Sequence, residues 1–385
     1  MRADVVVVGG GPAGSMAAAR LARERSVIIV EEHGEPGVPL QCAGLVTPRG
    51  VPRFAEKSVV ARVRGARIHS PMGFTLTIEA HDVRALVLDR RRFDRTAFEL
   101  AVDEGAQALT GTRVTGVADV QSSPAATVRL GNASGTIESS VVIGADGPRS
   151  VCRESAGLRP PKQVLRGIQV DLEGEKADPE FVDLFLGWKV APGFFAWSIP
   201  AGDVTRVGLC TWGREHVPAT FLKKFLKAPE FAGMAEMSRA SGSIPIGAGR
   251  SAVDGRIMLV GDAACHAKPL SGGGIYTGIK GAELCSEVVS RHLSDPGGSP
   301  LSDYDDLWWD SFGQELSRAF RIRKVFLALT DKKMDQALRL FDEPEVRRLV
   351  EERGDIDRPS ALSAEVLKLA PKLAQFSPQL IKSLL

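Results

Sequence analysis

Val5-Val6-Val7-Val8-Gly9-Gly10-Gly11-Pro12-Ala13-Gly14 opens the chain with a β-branched run that passes straight into a glycine cluster. The run reads as a short buried strand. Residues from Ser15 to about Glu24 read as a helix, and Val27-Ile28-Ile29-Val30, ending at Glu31, as a second buried strand. A strand–helix–strand unit of this kind opens a parallel sheet. Gly9-x-Gly11-x-x-Gly14 then falls at the turn into the helix. There, glycines permit a tight turn and let backbone N–H groups approach a diphosphate at the helix N-terminus. Glu31, at the end of the next strand, is placed to accept hydrogen bonds from an adenosine ribose and to repel a 2′-phosphate. A merely tight strand–helix turn is the plain alternative. The strand before, the helix after and the carboxylate beyond it tell against that alternative.

Two later strand ends extend the pattern. Val141-Val142-Ile143 runs into Gly144-Ala145-Asp146-Gly147, and Ile257-Met258-Leu259-Val260 into Gly261-Asp262. A nicotinamide dinucleotide has no need of an aspartate-tipped strand so far along the chain. A flavin's ribityl chain does need a hydroxyl acceptor near the diphosphate, and Asp262 fits. The helix that follows begins after Pro269 with Ser271-Gly272-Gly273-Gly274-Ile275. Its N–H groups can face the N1–C2=O edge of a flavin and stabilise the negative charge of the reduced ring. FAD is therefore the cofactor these strand ends predict.

Residues 163–245 have a different texture, alternating like strands and carrying Trp188, Phe194, Phe195 and Trp197. They read as an inserted sheet domain, joined by strands within 62–79 (Ala66–His69 and Phe74–Ile78). Asp295-Pro296-Gly297-Gly298-Ser299-Pro300 is a turn-rich linker. Beyond it the pattern is helical, over 301–333 and then in shorter pieces interrupted by Pro344, Pro359, Pro371 and Pro378.

The composition excludes several function classes. At 385 residues the chain exceeds one ordinary core. Its 44% hydrophobic and 25% charged residues suit a globular protein, and a net charge of +2 gives no footprint for nucleic acid. The 5 cysteines form no C-x-x-C pair, which argues against a disulfide framework or a cysteine-rich zinc site and fits a reducing cytosol. The 6 histidines show no metal-ligand spacing, so no metal is expected. No run approaches the roughly 18 apolar residues of a spanning helix. Arg2 with its apolar run is a strand rather than a signal peptide, because Gly9–Gly11 and Pro12 break it almost at once. A cytoplasmic protein is expected, touching a membrane at most peripherally.

The three glycine- and aspartate-bearing turns resemble the fingerprints of the hydroxylase-type FAD superfamily. Within it, Pro39-Leu40-Gln41-Cys42-Ala43-Gly44 resembles the P-x-x-C-x-G of the geranylgeranyl reductase family. Phe195-Ala196-Trp197-Ser198-Ile199-Pro200 with Val207-Gly208 is similar to its Y-x-W-x-F-P…G-x-G. Leu88-Asp89-Arg90-Arg91-Arg92-Phe93-Asp94 is similar to its L-x-R-x-x-F-D, and the likeness covers nearly the whole chain. Phe195, Ile199 and Cys210 depart from the pattern, where tyrosine, phenylalanine and the second glycine are usual. The fold class implied is α/β, a Rossmann-like FAD-binding domain of the hydroxylase type (1–61, 80–162, 246–298). An inserted antiparallel-sheet substrate domain (62–79, 163–245) and a C-terminal helical region (299–385) complete it. By position the resemblance implies flavin contacts at Gly14, Glu31, Cys42, Ala43, Arg90, Val114, Asp262, Gly274 and Ile275, with Leu45 at a further contact position. It also implies FAD-dependent reduction of carbon–carbon double bonds in geranylgeranyl chains of archaeal-type ether lipids, by hydride from flavin N5 plus a proton. The partners would be that isoprenoid lipid and an external electron donor such as ferredoxin, a reduced nicotinamide or a deazaflavin.

Cys42 is the residue this reading sets over the flavin. A thiol in water has a pKa of about 8.5, so it is mostly protonated at neutral pH and can deliver a proton. The other reading of Cys42 is a small apolar filler. Trp197 and Phe195 line a substrate channel or belong to an ordinary core, and His266 and Lys268 are acids near the ring or members of a solvated loop. Arg318, Arg321, Arg323 and Lys324, interleaved with apolar residues, form an interfacial helix on anionic lipid or a charged helix packed by one face. An isolated alkene offers no carbonyl to hold an enolate, so protonation leads, and the resulting cation needs a dry pocket. Two rival functions stand beside this one. The first is a flavin monooxygenase or halogenase, since Phe195-x-Trp197-x-Ile199-Pro200 is one residue from W-x-W-x-I-P. The second is a flavoprotein that carries electrons or shelters lipid without turnover.

Overall fold

The computed structural model describes residues 1–119, 125–131, 135–247, 249–295 and 297–376. Linker residue Pro296 and tail residue Pro378 lie outside the described residues. The opening run is the strand Arg2–Val8, and Val5–Val8 are all buried. It is the central member of a parallel core ordered Ile257–Leu259, Gly135–Gly144, Arg2–Val8, Val27–Val30, Gln107–Leu109. Chain neighbours flank Arg2–Val8 on one side and later strands on the other, so its C-terminal end is a topological switch point, where such sheets bind dinucleotides. Burial on both faces explains the unbroken apolar runs. The strand Ala126–Leu130 extends this sheet by antiparallel pairing onto Gly135–Gly144, and Val114–Ala118 pairs antiparallel onto Ala126–Leu130.

The first helix spans Pro12–Leu21 rather than starting at Ser15. Proline in the first turn has no N–H to satisfy and a ring already set for the helix, so Pro12 initiates what its sequence context made look like a break. It packs beside the helix Ile275–Ser294.

A seven-stranded sheet is ordered Glu236–Ile246, Gln163–Glu173, Val204–Thr211, Phe195–Ala201, Phe181–Leu186, Gly65–His69, Thr75–Glu79. Its pairings are antiparallel except Phe181–Leu186 with Gly65–His69, which run parallel. Leu45–Val46 and Val59–Val63 flank Ala85–Leu88 in a separate small antiparallel sheet. The C-terminal helices are Asp303–Trp308, Gln314–Ala328, Asp331–Phe341, Pro344–Arg353 and Ser363–Leu369, with a π turn at Trp309–Gly313. The segment 301–333 is thus not continuous: Leu329 is extended, and the Thr330 hydroxyl caps the next helix by accepting from the Lys333 N–H at 3.3 Å. Pro344 stands at a helix start instead of interrupting one. Among the described residues no helix is long and apolar enough to cross a membrane.

Candidate cofactor site and adjoining cavity

The three strand-end turns meet, and glycine is what lets them. A Cβ on Gly9, whose φ is +104°, would lie 2.3 Å from the Ala145 carbonyl oxygen; one on Gly14 would lie 2.0 Å from that of Gly9. Gly261 brings the third turn against Ala13, where a Cβ on the glycine would stand 3.0 Å from the alanine methyl. Gly11 differs, because a Cβ there meets nothing within 4 Å. Among the described residues no acceptor takes the N–H groups of Gly11, Ala13 or Gly14. An open row of N–H groups at a helix N-terminus is an anion cradle. Asp146, in the second turn, has its carboxylate engaged: it accepts from Ser150 Oγ at 2.6 Å and from the Cys152 N–H at 3.0 Å.

Glu31 is buried at the end of its strand. Its Oε2 accepts from the Gly10 N–H at 2.7 Å, and its Oε1 accepts from the His33 N–H at 2.9 Å and lies 2.7 Å from His33 Nδ1. His33 escaped the sequence reading, although a polar ring two residues past a strand-end carboxylate was a signal. The Thr112 N–H donates to the Glu31 carbonyl at 2.9 Å, which sets the strand beginning at buried Val114 beside this end of the site.

Asp262 sits at the other end. Its carboxylate makes no hydrogen bond among the described residues, and burial pushes its pKa up to about 6 against the opposing charge of Arg90. Gly274 permits this proximity, since a Cβ there would stand 3.2 Å from Asp262 Oδ1. The N–H groups of Gly274 and Ile275, at the start of the helix Ile275–Ser294, likewise meet no acceptor among the described residues. Arg90 begins the helix Arg90–Asp103, which Asp89 caps by accepting from the Arg92 N–H at 3.1 Å. Burial works against the Arg90 charge, but Asp94, gripped at 3.0 and 2.8 Å, and the adjacent Cys42 thiol raise its pKa above the ordinary arginine value. Arg90 thus links Asp262 and Cys42 electrostatically. This set of open N–H donors, a strand-end glutamate and an unengaged aspartate fits FAD.

Cys42 is half-buried, and the Gly44 N–H approaches its Sγ at 3.4 Å. The loop is held by residues the sequence reading missed. Gln169 Nε2 donates to the Cys42 carbonyl at 3.1 Å and Arg206 Nη1 to the Ala43 carbonyl at 2.8 Å. Asp171 grips Arg206 through both carboxylate oxygens at 2.7 and 3.1 Å. The available signal was three polar side chains within apolar strands.

Trp197 is 8% exposed, and its Nε1 has no hydrogen-bond partner among the described residues. Gly208, opposite it on the next strand, makes room for its ring: a Cβ there would fall 2.6 Å from it. Phe195 meets Trp197 edge-on at 6.3 Å and stacks on Phe194 at 4.1 Å. All three pack with Val63, Ala85 and Val182. Those last three line an apolar cavity of about 910 Å³ between the sheets and the C-terminal helices. Phe326 lines its helical side, and Leu45 and Leu270 bring it to the loops that carry Cys42 and Gly274. Trp197 and Phe195 are not among the lining residues; they pack against its wall.

The solvated-loop reading of His266 and Lys268 is corrected, since both are buried. His266 Nδ1 lies 3.2 Å from the Gly261 N–H, and the ring stacks on Trp308 at 3.6 Å. Burial lowers its pKa to about 3, so the imidazole is neutral at pH 7 and braces the Gly261 turn. Lys268 Nζ pairs with buried Asp357 at 2.5 Å, while the other Asp357 oxygen accepts from Thr47 Oγ1 at 2.7 Å and Arg49 at 3.0 Å. The interfacial-helix reading is corrected at Arg323. That residue is 1% exposed and donates to Gln163 Oε1 and the Gly193 carbonyl, both at 2.8 Å. Arg318, Arg321 and Lys324 are exposed on the same helix. Among the described residues no cluster of three or more His, Cys, Asp or Glu could hold a metal ion.

The FAD binding domain family matches residues 2–221. An uncharacterized protein of Methanocaldococcus jannaschii is 34% identical to this chain, covering 95% of each. A digeranylgeranylglycerophospholipid reductase of Methanothrix thermoacetophila is 32% identical over 91% of this chain and 94% of its own length. In fold, a geranylgeranyl bacteriochlorophyll reductase-like protein of Thermoplasma acidophilum superposes with a TM-score of 0.81 at 23% identity, covering 97% of this chain and 99% of that one. Fold and site together define an FAD-dependent oxidoreductase of the hydroxylase type, with FAD as cofactor. Within that class, the chain belongs to the geranylgeranyl reductase family.

Proposed function

We propose that this protein reduces carbon–carbon double bonds in the geranylgeranyl chains of isoprenoid ether lipids, using electrons from an external donor. The observation that carries the reading is the apolar cavity of about 910 Å³ whose wall reaches the Cys42 and Gly274 loops through Leu45 and Leu270. Its size falls within the ~300–1,000 Å³ of ligand pockets.

In this reading the Gly9 turn presents the N–H groups of Gly11, Ala13 and Gly14 to the diphosphate. Glu31 takes the adenosine ribose with Val114 beside it, and Asp262 accepts from the ribityl hydroxyls. Cys42, Ala43, Arg90, Gly274 and Ile275 surround the ring end. Bound and reduced, FAD supplies hydride to an alkene carbon.

The chain's own task is the other half of the addition. The alkene accepts a proton as tertiary carbocation character builds, and Cys42 Sγ holds that proton. Arg90, beside the thiol, stabilises the negative charge left when the proton departs. Leu45, Leu270, Val63 and Phe326 keep water from the cation. Trp197 and Phe195, packed against that wall, fix its shape. A ferredoxin, reduced nicotinamide or deazaflavin serves as electron donor, and a peripheral contact with a membrane surface delivers the lipid.

Anaerobic incubation with dithionite and geranylgeranyl-bearing lipid, followed by mass spectrometry, tests the proposal. Successive additions of two hydrogens are expected. In a parallel aerobic assay, substrate-coupled oxygen consumption without saturation would mean a monooxygenase or halogenase; retained but unsaturated lipid in the anaerobic one would mean a carrier.

A further inference from the structure

We propose that Gln169 and Arg206, backed by Asp171, are positioning residues that fasten the Cys42 loop across the large sheet and thereby aim its thiol. The proposal rests on the reading of Cys42 as proton donor. The strands Glu236–Ile246, Gln163–Glu173 and Val204–Thr211 are consecutive neighbours in that sheet. Each meets one successive residue of the loop. Gly242 lies under Gln41, where a Cβ would come 2.9 Å from the Gln41 carbonyl oxygen. Gln169 holds the Cys42 carbonyl, and Arg206 the Ala43 carbonyl. The peptide 41–43 therefore crosses three strands and is met once by each.

The fastening is built from groups that are costly to bury for any other purpose. Gln169 and Arg206 are 5% and 6% exposed. A buried guanidinium needs a partner, and Asp171, directly across the strand pair, takes its Nε and Nη2. The rigid fork then leaves Nη1 aimed at the Ala43 carbonyl. Gln169 and Asp171 are two residues apart on one strand and share a face. Residues 39–44 form no helix or strand of their own, so these side-chain bonds stand in for a backbone ladder. With the Gln41 carbonyl packed over Gly242 and the Cys42 carbonyl held by Gln169, the peptide planes on both sides of the Cys42 Cα are restrained, and Arg206 anchors the next one, which fixes the direction in which the Cys42 side chain leaves the backbone.

The test uses the FAD-loaded full chain and the variants Gln169→Leu, Arg206→Lys, Cys42→Ala and Arg206→Lys with Cys42→Ala. Cys42 is the half-buried cysteine and the other four are buried, so iodoacetamide labelling read by peptide mass spectrometry reports on it selectively. Lysine keeps the charge opposite Asp171 but loses the fork, and leucine adds no charge, so a folded variant is available either way. Gln169→Leu and Arg206→Lys are expected to alter the Cys42 labelling rate about tenfold. They should lower kcat for lipid reduction by about 10- to 100-fold with KM little changed, since small misplacements carry penalties of that order. Adding Arg206→Lys to Cys42→Ala is expected to lower kcat no further. Unchanged labelling in both folded variants overturns the proposal, as does an equal loss from Arg206→Lys with or without Cys42. Full activity in Cys42→Ala would sink the proton-donor role alone, leaving the labelling rates to judge the positioning.

Discussion

The turn at residues 9–14 and the loop at residues 41–44 both shape backbone beside the cofactor, by opposite means. The first works because side chains are missing, with Gly9 and Gly14 letting carbonyls come closer than any Cβ allows. The second works because side chains are present, supplied by strands far along the chain. A fold can therefore present backbone to a ligand either by removing what is in the way or by reaching in from elsewhere. The two solutions should fail differently.

The largest failure is expected at Gly14→Ala, whose methyl would sit 2.0 Å from the Gly9 carbonyl oxygen. Purified protein should be nearly colourless, with FAD affinity at least ~100-fold weaker (about 2.7 kcal/mol or more); wild-type flavin content would mean the close approach is dispensable. Lys268→Met comes next, on the side-chain mode of fastening, because it leaves Asp357 buried without its closest cation. Breaking a buried pair costs roughly 3–5 kcal/mol, so calorimetry should show a clear drop in Tm, with faster proteolysis in the C-terminal helices.

Asp262→Asn separates binding from folding. The wild-type carboxyl has its pKa raised to about 6 by burial, above the roughly 3.9 of an unfolded chain. Between those values the folded state holds the extra proton, so wild-type apoprotein loses stability as pH rises from about 4 to about 6. Asparagine should abolish that slope and leave the apoprotein more stable at pH 7.5, by on the order of 2 kcal/mol, while FAD binds about tenfold more weakly (about 1.4 kcal/mol). Urea titrations of both apoproteins at pH 4.5 and 7.5 check the sign. Gly11→Ala should be mildest for the fold, because nothing lies within 4 Å of the new methyl. An unchanged Tm with weakened FAD binding is expected; a lowered Tm would show that the cradle is less open than its geometry.

How much was legible follows the same division. The parallel core could be read because Val5–Val8, Val141–Ile143 and Ile257–Val260 are continuous apolar runs ending in glycine or aspartate, and each signal is local. The helix start at Pro12 was misread by three residues, since proline breaks a helix everywhere except its first turn. The parallel pairing of Phe181–Leu186 with Gly65–His69 left no local trace, because register between distant strands is decided by packing. Cys42, Arg90 and Asp262 were named from motifs, and the structure brings them together. Gln169, Asp171, Arg206 and Asp357 were not, because each acquires meaning only from a partner elsewhere in the chain. His266 was visible, but the sequence left it open between an acid near the ring and a solvated loop, since nothing in its neighbours announces the Trp308 ring that covers it.

Asp357 carries one last consequence. The single carboxylate of Asp357 joins Lys268 to Thr47 and Arg49, so two distant stretches answer to one charge. A chimera that borrowed its last helices from a cousin would inherit a mismatch at two addresses at once. Such transplants should succeed only when those four positions travel together, whatever the fate of the apolar surface around them.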